Sequence, residues 1–342
     1  MTAAEGLTVA VTGPTGTFGF GLIPLLEADD RIGRIVGVAR RPFDPADHGW
    51  SKLEYRRGDV RDIAVLEDAF AGADVVVHLA FLIAGARKDP ATRAINVDGT
   101  LNTFRAAAAA GAKRFVYASS VSAYGFAPDA PGPITEDRSV RPADNLFYAQ
   151  EKAELEGELA ALAAHHPELD VYLLRPPGVL GPNMIGGKSE RAARVVPHAQ
   201  RAIRRLRRSR VPVPLPLPEV QLQLIHETDV GTAFLQCIVG AGPAGAYNIA
   251  GDGVVDGADI ARALGFRPVI IRGPRVPGAM RRLADLSKRR FGPEALSWAE
   301  ALAAPVIMDT TKAREQLGWK PRWTSQQVLD EAVTGEGVER TP

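Results

Sequence analysis

The first half of the chain alternates regularly between short apolar runs and segments of helical period. The apolar runs are predicted strands, at Leu7–Thr12, Arg34–Ala39, Lys52–Tyr55, Ala73–Leu79, Arg114–Ser119 and Val171–Leu174. The segments between them are predicted helices, at Thr17–Glu27, Asp62–Ala71, Thr92–Ala110 and Leu146–His165. This alternation predicts an α/β fold of Rossmann type, a doubly wound parallel sheet whose strands all end at one edge.

The second half of the chain follows this pattern less closely. Val211–Pro218 alternates apolar residues with prolines, which favours an extended, polyproline-like or edge segment over a central strand. His226–Cys237 has helical period and Ala246–Ala250 is strand-like, so we expect this part to return to the sheet. The predicted domains are a dinucleotide-binding domain and a smaller, discontinuous C-terminal substrate domain, over residues 1–180 with 226–250, and over residues 181–225 with 251–342.

Composition and charge exclude several classes of protein. The chain has 342 residues, 46% of them hydrophobic, and a formal net charge of +1. A balanced charge gives no global attraction for nucleic acid or acidic lipid. No apolar run approaches the roughly 20 residues that span a bilayer. The single cysteine, Cys237, and an N-terminus without signal-peptide features are typical of a cytoplasmic protein.

A glycine-rich loop follows the first predicted strand and opens the first predicted helix. Glycine allows a diphosphate to approach the backbone closely, and the free amides at the start of a helix favour its negative charge. Spaced glycines also form ordinary tight turns, but their position in a βαβ unit here predicts nucleotide binding. The expected contacts come from Gly13, Thr15, Gly16, Thr17, Phe18 and Gly19.

The end of the second strand bears on the identity of the nucleotide. A carboxylate about 20 residues beyond the glycines would bind the ribose hydroxyls of NAD, but the strand continues into Arg40 and Arg41. A guanidinium suits a 2′-phosphate by its charge and planar donors, so the sequence favours NADP over NAD. The alternative is that both arginines are solvated, with one stacking on the adenine of either cofactor. After the third strand, Asp59 could bind the adenine amino group or cap the next helix.

Tyr148 and Lys152 are the most specific pair in the sequence, because a spacing of four puts both on one face of a predicted helix. Oxidation of an alcohol to a carbonyl releases a hydroxyl proton as the hydride leaves. A tyrosine accepts that proton near neutral pH when an adjacent ammonium lowers its pKa. Ser120 follows the fifth strand, where its hydroxyl can bind the reacting oxygen. Such a pair often has only a surface role, but the glycine loop and the strand-end serine favour a catalytic one.

Motifs along nearly the whole chain resemble those of the extended short-chain dehydrogenase/reductase superfamily, in particular its NAD(P)-dependent epimerase/dehydratase branch. They are the loop Thr12–Gly19 and the segments Gly58–Asp62, His78–Ala80, Asn96–Thr100, Phe115–Ser120, Tyr148–Lys152, Leu174–Pro177, His226–Val230, Asp309–Ala313 and Leu317–Pro321.

This resemblance implies roles for individual residues. Tyr148 would be the general acid/base, Lys152 would hold the nicotinamide ribose and lower the tyrosine pKa, and Ser120 would orient the substrate oxygen. Asn96 would tie the neighbouring helix to the strand edge. The resemblance also implies a homodimer paired through the third and fourth predicted helices. Further cofactor contacts are expected from Asp59, Val60, Leu79, Ala80, Pro176 and Val179.

Several positions depart from the family pattern where the substrate would bind. Val121 and Ser122 stand where sugar-dehydrating relatives carry an acid pair, so 4,6-dehydration is not expected. Gly178 and Leu222 stand where nucleotide-sugar enzymes carry an asparagine and an arginine. The eight arginines within Arg191–Arg210 could supply cations instead. The alternatives for this segment are a solvated helix face, a site for an anionic substrate, or a membrane-surface contact.

The favoured hypothesis is an NAD(P)-dependent oxidoreductase that moves a hydride between nicotinamide and a carbinol or carbonyl carbon of a small-molecule substrate. One alternative is an NAD-dependent epimerase that keeps its cofactor and acts on a sugar or nucleotide sugar. The other is a non-catalytic sensor that binds the cofactor, since a fold alone never establishes activity. A degenerate relative of that kind would be expected to lose at least one of Ser120, Tyr148 and Lys152.

Overall fold

The computed structural model describes residues 6–83, 89–125, 132–141, 146–183, 201, 205, 213–271 and 306–335. Its strands are β1 (Leu7–Thr12), β2 (Ile32–Ala39), β3 (Leu53–Arg57), β4 (Val75–His78), β5 (Arg114–Ala118), β6 (Asp170–Arg175), β7 (Gly178–Leu180), β8 (Pro214–Pro218), β9 (Gln221–Leu222), β10 (Leu224–His226), β11 (Gly245–Asn248), β12 (Val255–Asp256) and β13 (Arg267–Ile271). Its α-helices are α1 (Thr17–Ala28), α2 (Ile63–Phe70), α3 (Pro90–Arg93), α4 (Gly99–Ala109), α5 (Phe147–Ala163), α6 (Glu227–Ile238), α7 (Gly257–Ala263), α8 (Thr311–Gln316) and α9 (Ser325–Thr334).

Seven parallel strands form the central sheet, in the order β11-β6-β5-β4-β1-β2-β3. The chain moves outward from β1 through β2 to β3 and then crosses back to β4, on the other side of β1. Parallel pairing brings the carboxyl ends of the strands to one edge. The reversal between β1 and β4 opens a crevice there, which is where such folds bind ligands. The predicted α/β, doubly wound, Rossmann-type fold is confirmed.

The central strands are buried on both faces, which explains their unbroken apolar sequences. In β1, Val9 and Val11 face one core cluster together with Leu22 of α1. Ala10 faces the opposite cluster together with Phe104 of α4. All five side chains are fully buried. The sheet is therefore a rigid base for the loops at its carboxyl edge.

Helices α1 and α6 lie in backbone contact on one face of the sheet. A Cβ atom added to Gly21 would lie 2.2 Å from the carbonyl oxygen of Glu227, and one added to Gly231 would lie 2.1 Å from that of Gly21. Only glycine permits so close an approach. The contact puts the start of α6 beside the first two turns of α1.

The second half of the described chain contributes three two-stranded pairs outside the central sheet. One of them joins β8 in parallel to β13, although every second residue of β8 is proline. Since N–H groups alternate between the two edges of a strand, these prolines leave Leu215 and Leu217 free to pair with β13. β8 is thus an edge strand, as the prolines of Val211–Pro218 predicted. The boundaries of the two domains stay a prediction.

The predicted helix over Thr92–Ala110 is divided in the structure. α3 ends at Arg93, residues Ala94–Asp98 form a π turn, and α4 begins at Gly99. The π turn directs the Asn96 side chain toward the segment after β4 and toward α5, a tertiary contact that helix propensity does not encode. Single π turns are frequent at functional sites.

The arginine-rich segment Arg191–Arg210 lies outside the described residues except for Arg201 and Arg205. Its proposed roles therefore stay open. Within the part of the chain that the structure describes, no helix combines the length and the apolar composition that crossing a bilayer requires.

Candidate active site

The glycine loop between β1 and α1 is a tight turn in which two positions require glycine. Gly13 has a φ of +71°, and a Cβ atom there would lie 2.8 Å from the amide nitrogen of Ala80. A Cβ atom on Gly19 would lie 2.0 Å from the carbonyl oxygen of Pro14. The Gly13 amide donates to the carbonyl oxygen of Val38 at 2.9 Å. The loop therefore presents backbone, not side chains, at the crevice between β1 and β4.

The first turn of α1 fits a negatively charged diphosphate. Its N-cap, Gly16, offers no side chain to cap the amides, and the turn contains no acidic residue. Amides in this position attract anions. Phe18 packs against Phe234, with ring centroids 6.3 Å apart, so it offers its backbone to a ligand. The hydroxyl of Thr17 donates to the carbonyl oxygen of Asn183 at 3.4 Å. The residues of this loop fit a dinucleotide cofactor.

Three arginines surround the end of β2. Arg40 and Arg41 are exposed directly after the strand. Arg57, at the end of β3, donates from Nε to the carbonyl oxygen of Arg40 at 3.0 Å, and the hydroxyl of Tyr55 donates to that of Arg41. Sequence reasoning missed Arg57 and Tyr55, although the parallel register that pairs Ala39 with Arg57 brings them here. The end of β2 thus carries concentrated positive charge.

Asp59 is held by its own loop. Its carboxylate accepts a hydrogen bond from the Arg61 backbone amide at 3.0 Å, and its Oδ2 lies 2.7 Å from Arg61 Nη2. The hydrogen bonds from Arg61 keep the pKa of the Asp59 carboxyl below its ordinary value. The cap of α2 is Asp62, whose carboxylate accepts from the Ala64 amide. The alternative role of Asp59 as a helix cap is therefore wrong. The neighbouring Val60 is buried.

The structure brings Ser120, Tyr148 and Lys152 together at the carboxyl edge of the sheet. The side chains of Tyr148 and Lys152 lie on the inner face of α5, where they are 9% and 2% exposed. Tyr148 is hydrogen-bonded to the Ser120 side chain. The Oγ atom of Ser120 also accepts from the Ser122 amide at 3.1 Å, which orients the serine. A shielded phenol, a hydroxyl and an amine thus share one site.

The electrostatics of Tyr148 differ from the sequence expectation. Burial raises the pKa of its phenol above the ordinary value, and the hydrogen bond to Ser120 offsets this in part. Burial also lowers the pKa of Lys152 to about 7. The Nζ atom of Lys152 donates to the carbonyl oxygen of Ala118 at 2.6 Å and to the hydroxyl of Tyr117 at 3.0 Å. The expected lowering of the tyrosine pKa by the adjacent ammonium is therefore not seen in this arrangement, because burial dominates.

His78, at the end of β4, is a packed strand residue. Its Nδ1 lies 2.7 Å from Thr12 Oγ1, and its Nε2 lies 2.9 Å from Thr100 Oγ1. Burial lowers the pKa of His78 to about 3, so the imidazole stays neutral near neutral pH. It joins β1, β4 and α4 below the crevice.

A buried ion pair lies one turn beyond the site lysine on α5. Arg175 donates from Nε to Glu156 Oε1 at 2.9 Å and from Nη2 to Oε2 at 2.5 Å. Ser119 donates to the same carboxylate at 2.5 Å, and Arg175 Nη1 donates to the Tyr124 hydroxyl at 2.6 Å. Sequence reasoning missed this pair, although Glu156 follows Tyr148 at a spacing of eight on the same helix face. The pair fixes α5 against β5 and β6.

Asn96 ties the segment after β4 to α5. Its side chain accepts from the Leu82 amide at 2.8 Å and donates to the Leu82 carbonyl oxygen at 3.0 Å. It also donates to Glu151 Oε2 at 2.8 Å. This is a tether of the kind that the resemblance implies. It fixes the stretch that begins with Leu79 and Ala80.

The segment after β6 closes the opposite side of the site. The carbonyl oxygen of Pro176 accepts from the Val121 amide at 2.9 Å, which joins the end of β6 to the turn after Ser120. Val179 lies in β7, where it pairs with Ile225 of β10. Backbone contacts thus hold Pro176 beside the turn after Ser120 and Val179 against β10, and their cofactor contacts stay a prediction.

Comparison with known proteins establishes the class to which this fold and site belong. The model of the NAD dependent epimerase/dehydratase family matches residues 9–250. The chain belongs to this family, and the resemblance found in the sequence is confirmed. It is accordingly an NAD(P)-dependent enzyme of the epimerase/dehydratase type.

Individual relatives show how far the similarity extends. An uncharacterized protein of Mycobacterium tuberculosis is 29% identical over 340 residues, which cover 96% of this chain and 84% of that protein. Sterol demethylase protein B of Methylococcus capsulatus is 31% identical over 180 residues, 52% of each chain. Among solved structures, MoeE5 in complex with UDP-glucuronic acid and NAD is similar with a TM-score of 0.68 and 25% identity, over 95% of this chain and 97% of that one.

Proposed function

We propose that this chain is an NAD(P)-dependent dehydrogenase or reductase that transfers a hydride between nicotinamide and a carbinol or carbonyl carbon. The observation that carries the proposal is the hydrogen-bonded Ser120–Tyr148 pair, with Lys152 one helical turn away. A substrate oxygen that reaches Ser120 meets a phenol that is already aligned and largely shielded from water. Tyr148 is then the general acid/base.

The proposed chemistry moves one proton and one hydride. In the oxidation direction, the substrate O–H bond breaks and its proton passes to the phenolate oxygen of Tyr148. Ser120 donates a hydrogen bond to the substrate oxygen and holds it against the phenol. A positive charge on Lys152 stabilises the phenolate, because opposite charges attract strongly in a buried site. The nicotinamide, when bound, supplies the hydride acceptor. In reduction, Tyr148 returns the proton to the new alcohol.

For the cofactor we propose NADP in preference to NAD. The glycine loop and the first turn of α1 would hold the diphosphate, and Arg40, Arg41 and Arg57 surround the end of β2 where an adenosine 2′-phosphate would lie. Asp59, the carboxylate in this region, is already paired with Arg61. The solved relative MoeE5 contains NAD, so a direct measurement decides between the two nucleotides.

The substrate side favours a less polar compound than a nucleotide sugar. Leu222 packs into an apolar cluster around Val255, where a diphosphate-binding arginine would be expected. A Cβ atom on Gly178 would lie 3.1 Å from the Leu224 side chain, so this position borders apolar atoms as well. The similarity to a protein named sterol demethylase protein B supports a substrate with a hydrocarbon frame.

A nucleotide-sugar epimerase is the second candidate, because MoeE5 is similar along its whole length and holds UDP-glucuronic acid. An epimerase oxidises and reduces the same substrate and therefore keeps its cofactor. A non-catalytic sensor is disfavoured because Ser120, Tyr148 and Lys152 are all in place.

We also propose a homodimer formed through α4 and α5, which a monomer mass in light scattering would contradict.

Identification of the nucleotide released on denaturation tests these alternatives. The freshly purified protein is unfolded and the supernatant is analysed by mass spectrometry, and the protein is then incubated with NADP or NAD and a panel of secondary alcohols, ketones and sterols. Our proposal expects an empty or partly NADP-filled protein and nucleotide reduction or oxidation with a member of the panel. Stoichiometric NAD, with no net turnover of added nucleotide, would instead contradict our proposal and favour the epimerase.

A further inference from the structure

The ammonium group of Lys152 is surrounded by aromatic rings. Its Nζ lies 3.7 Å from the centroid of the Phe81 ring, 4.6 Å from that of Tyr117 and 5.8 Å from that of Tyr148. The Phe81 and Tyr148 rings are perpendicular, with centroids 5.5 Å apart. A cation at the face of an aromatic ring is attracted by the negative face of the π system, most strongly when water is excluded.

Phe81 contacts the ammonium in addition to its two hydrogen bonds. A lysine has three N–H donors, and two of them point to the Ala118 carbonyl oxygen and the Tyr117 hydroxyl. Among the described residues, no carboxylate oxygen lies within 4 Å of Lys152 Nζ. The ring of Phe81, whose centroid lies 3.7 Å from Nζ, supplies a further contact to the group.

The nearest carboxylates are already committed to other partners. Glu156 is bound by Arg175 and Ser119, and Glu151 accepts from Asn96. Both carboxylates favour the charged form of Lys152, but burial outweighs them. A buried cation that lacks a direct ion pair depends on dipoles and ring faces for its stabilisation.

The position of Phe81 is fixed by the polar contacts of the next residue. Both backbone groups of Leu82 are hydrogen-bonded to the Asn96 side chain, and Asn96 in turn donates to Glu151, the neighbour of Lys152 on α5. The tether therefore connects the Phe81 segment directly to the helix that carries the amine. The two hydrogen bonds of Leu82 thus hold the backbone beside Phe81 in place.

We propose that Phe81, together with Tyr117, forms an aromatic cage that favours the charged form of the Lys152 amine and directs the amine toward its place beside Tyr148. Phe81 is then a positioning residue: it acts on the reaction only through Lys152. The consequence for turnover rests on the proposed function, whereas the effect of the cage on the amine does not.

Direct titration of the Lys152 amine tests the cage. The protein is labelled with [13Cε]lysine, the Lys152 resonance is assigned from its loss in Lys152→Met, and its pKa is measured by NMR. Phe81→Leu keeps an apolar side chain but removes the ring face, so we expect the acid dissociation constant of Lys152 to rise about tenfold, a pKa decrease of about one unit. Phe81→Tyr keeps the ring and should restore the wild-type titration.

The matched control is Phe104→Leu, which removes a ring that is fully buried in the core against Phe115. It should lower stability without changing the Lys152 titration. An unchanged Lys152 pKa in folded Phe81→Leu, or an equal shift in Phe104→Leu, would overturn the cage.

Turnover supplies a second readout once a substrate is known. At pH 7, Phe81→Leu should lower kcat about fivefold with KM unchanged, because a smaller fraction of Lys152 is charged. The loss should lessen as the pH falls below about 6, which a purely structural defect would not show. A wild-type protein that turns over no substrate would contradict the proposed function, and the NMR titration would still decide on the cage.

Discussion

The starts of α1 and α6 lie side by side on one face of the sheet, but they use their polar groups in opposite ways. α1 begins at Gly16, without a capping side chain and without an acid in its first turn. α6 begins after His226, whose Nδ1 accepts from the Thr228 amide at 3.2 Å, and its first turn contains Glu227 and Asp229. One helix start leaves its amides for an anion, and the other is neutralised by its own chain.

Asp229, in the first turn of α6, binds backbone and side-chain groups of the C-terminal segment. Its Oδ2 accepts from the amides of Arg322 and Trp323, each at 3.0 Å, and its carbonyl oxygen accepts from Trp319 Nε1 at 3.1 Å. The start of α6 therefore anchors the C-terminal part of the fold. The two helix starts therefore differ in electrostatics: α6 has acidic side chains in its first turn, whereas α1 has none. Substitutions at α1 should change ligand binding, whereas substitutions at α6 should change stability.

The largest expected effect is on cofactor binding by Gly13→Ala. The added Cβ meets the Ala80 amide nitrogen at 2.8 Å, so the loop must shift away from the diphosphate. We expect the Kd for NADP or NAD to rise at least about 100-fold in a fluorescence or calorimetric titration. Gly111→Ala is the matched control, since its φ is +73° but nothing lies within 4 Å of the added atom.

Both substitutions carry the strain of a non-glycine residue at positive φ, about 1 kcal/mol of stability. Only Gly13→Ala should lose the ligand. Wild-type affinity in Gly13→Ala would show that the loop does not bind the cofactor diphosphate, and it would remove the contrast between the two helix starts.

Asp229→Ala should lower the stability of the fold and leave cofactor binding intact, unlike Gly13→Ala. It leaves the amides of Arg322 and Trp323 without their acceptor in a buried site. We expect the free energy of unfolding in urea to fall by about 2–3 kcal/mol, with the Kd for the cofactor unchanged within about twofold. Asp229→Asn keeps an acceptor oxygen and should lose less. A large loss of affinity at unchanged stability would contradict the anchoring role.

The buried amine of Lys152 makes the free energy of unfolding depend on pH. Its pKa is about 7 in the folded protein and 10.5 ordinarily, so the folded state binds fewer protons than the unfolded state between these values. The stability linked to Lys152 is fully present above about pH 10.5 and is lost as the pH falls through about 7. The free energy of unfolding should therefore rise with pH in this window, by at most about 1.4 kcal/mol per pH unit.

Urea unfolding at pH 7, 8 and 9 measures this slope, and Lys152→Met should make it less positive. His78 does not interfere, since its pKa is about 3 when folded and 6.5 ordinarily, which places its contribution below this window. Equal slopes in the wild type and in Lys152→Met would show that burial does not lower the pKa of the Lys152 amine in the folded protein.

The smallest expected effect concerns the choice between NADP and NAD. Arg40→Ser should raise the Kd for NADP about tenfold and leave that for NAD unchanged, because only NADP carries a 2′-phosphate. Arg34→Ser is a suitable control, because Arg34 lies on β2, six residues before Arg40, and pairs with Glu54. An equal loss for both nucleotides would indicate stacking on the adenine instead.

The parts of the fold that the sequence predicted are those set by local patterns. β1 begins and ends at the predicted residues, and the glycine loop follows it directly, because buried parallel strands and tight turns leave strong local signals. The helix over Thr92–Ala110 was not predicted correctly, since the alanines after Gly99 favour a continuous helix while the π turn depends on the contacts of Asn96 with Leu82 and Glu151.

In the candidate site, too, the sequence revealed contacts within one helix but not contacts between distant parts of the chain. The spacing of Tyr148 and Lys152 was visible because both residues lie on one helix. The Glu156–Arg175 pair and the Phe81 ring over Lys152 were not, since each joins residues that are far apart in the chain. The raised pKa of Tyr148 also escaped sequence reasoning, because the extent of its burial follows from the packing of α5 on the sheet.

The role of Tyr148 as general acid/base is tested by the kcat of Tyr148→Phe with the substrate that the panel identifies. Tyr172→Phe is the control, because the Tyr172 hydroxyl donates to the carbonyl oxygen of Gly242, away from the site. If Tyr148 is the general acid/base, Tyr148→Phe loses at least about 100-fold in kcat while its Kd for the cofactor and the kcat of Tyr172→Phe stay near wild type. Undiminished turnover by Tyr148→Phe would contradict the proposed mechanism.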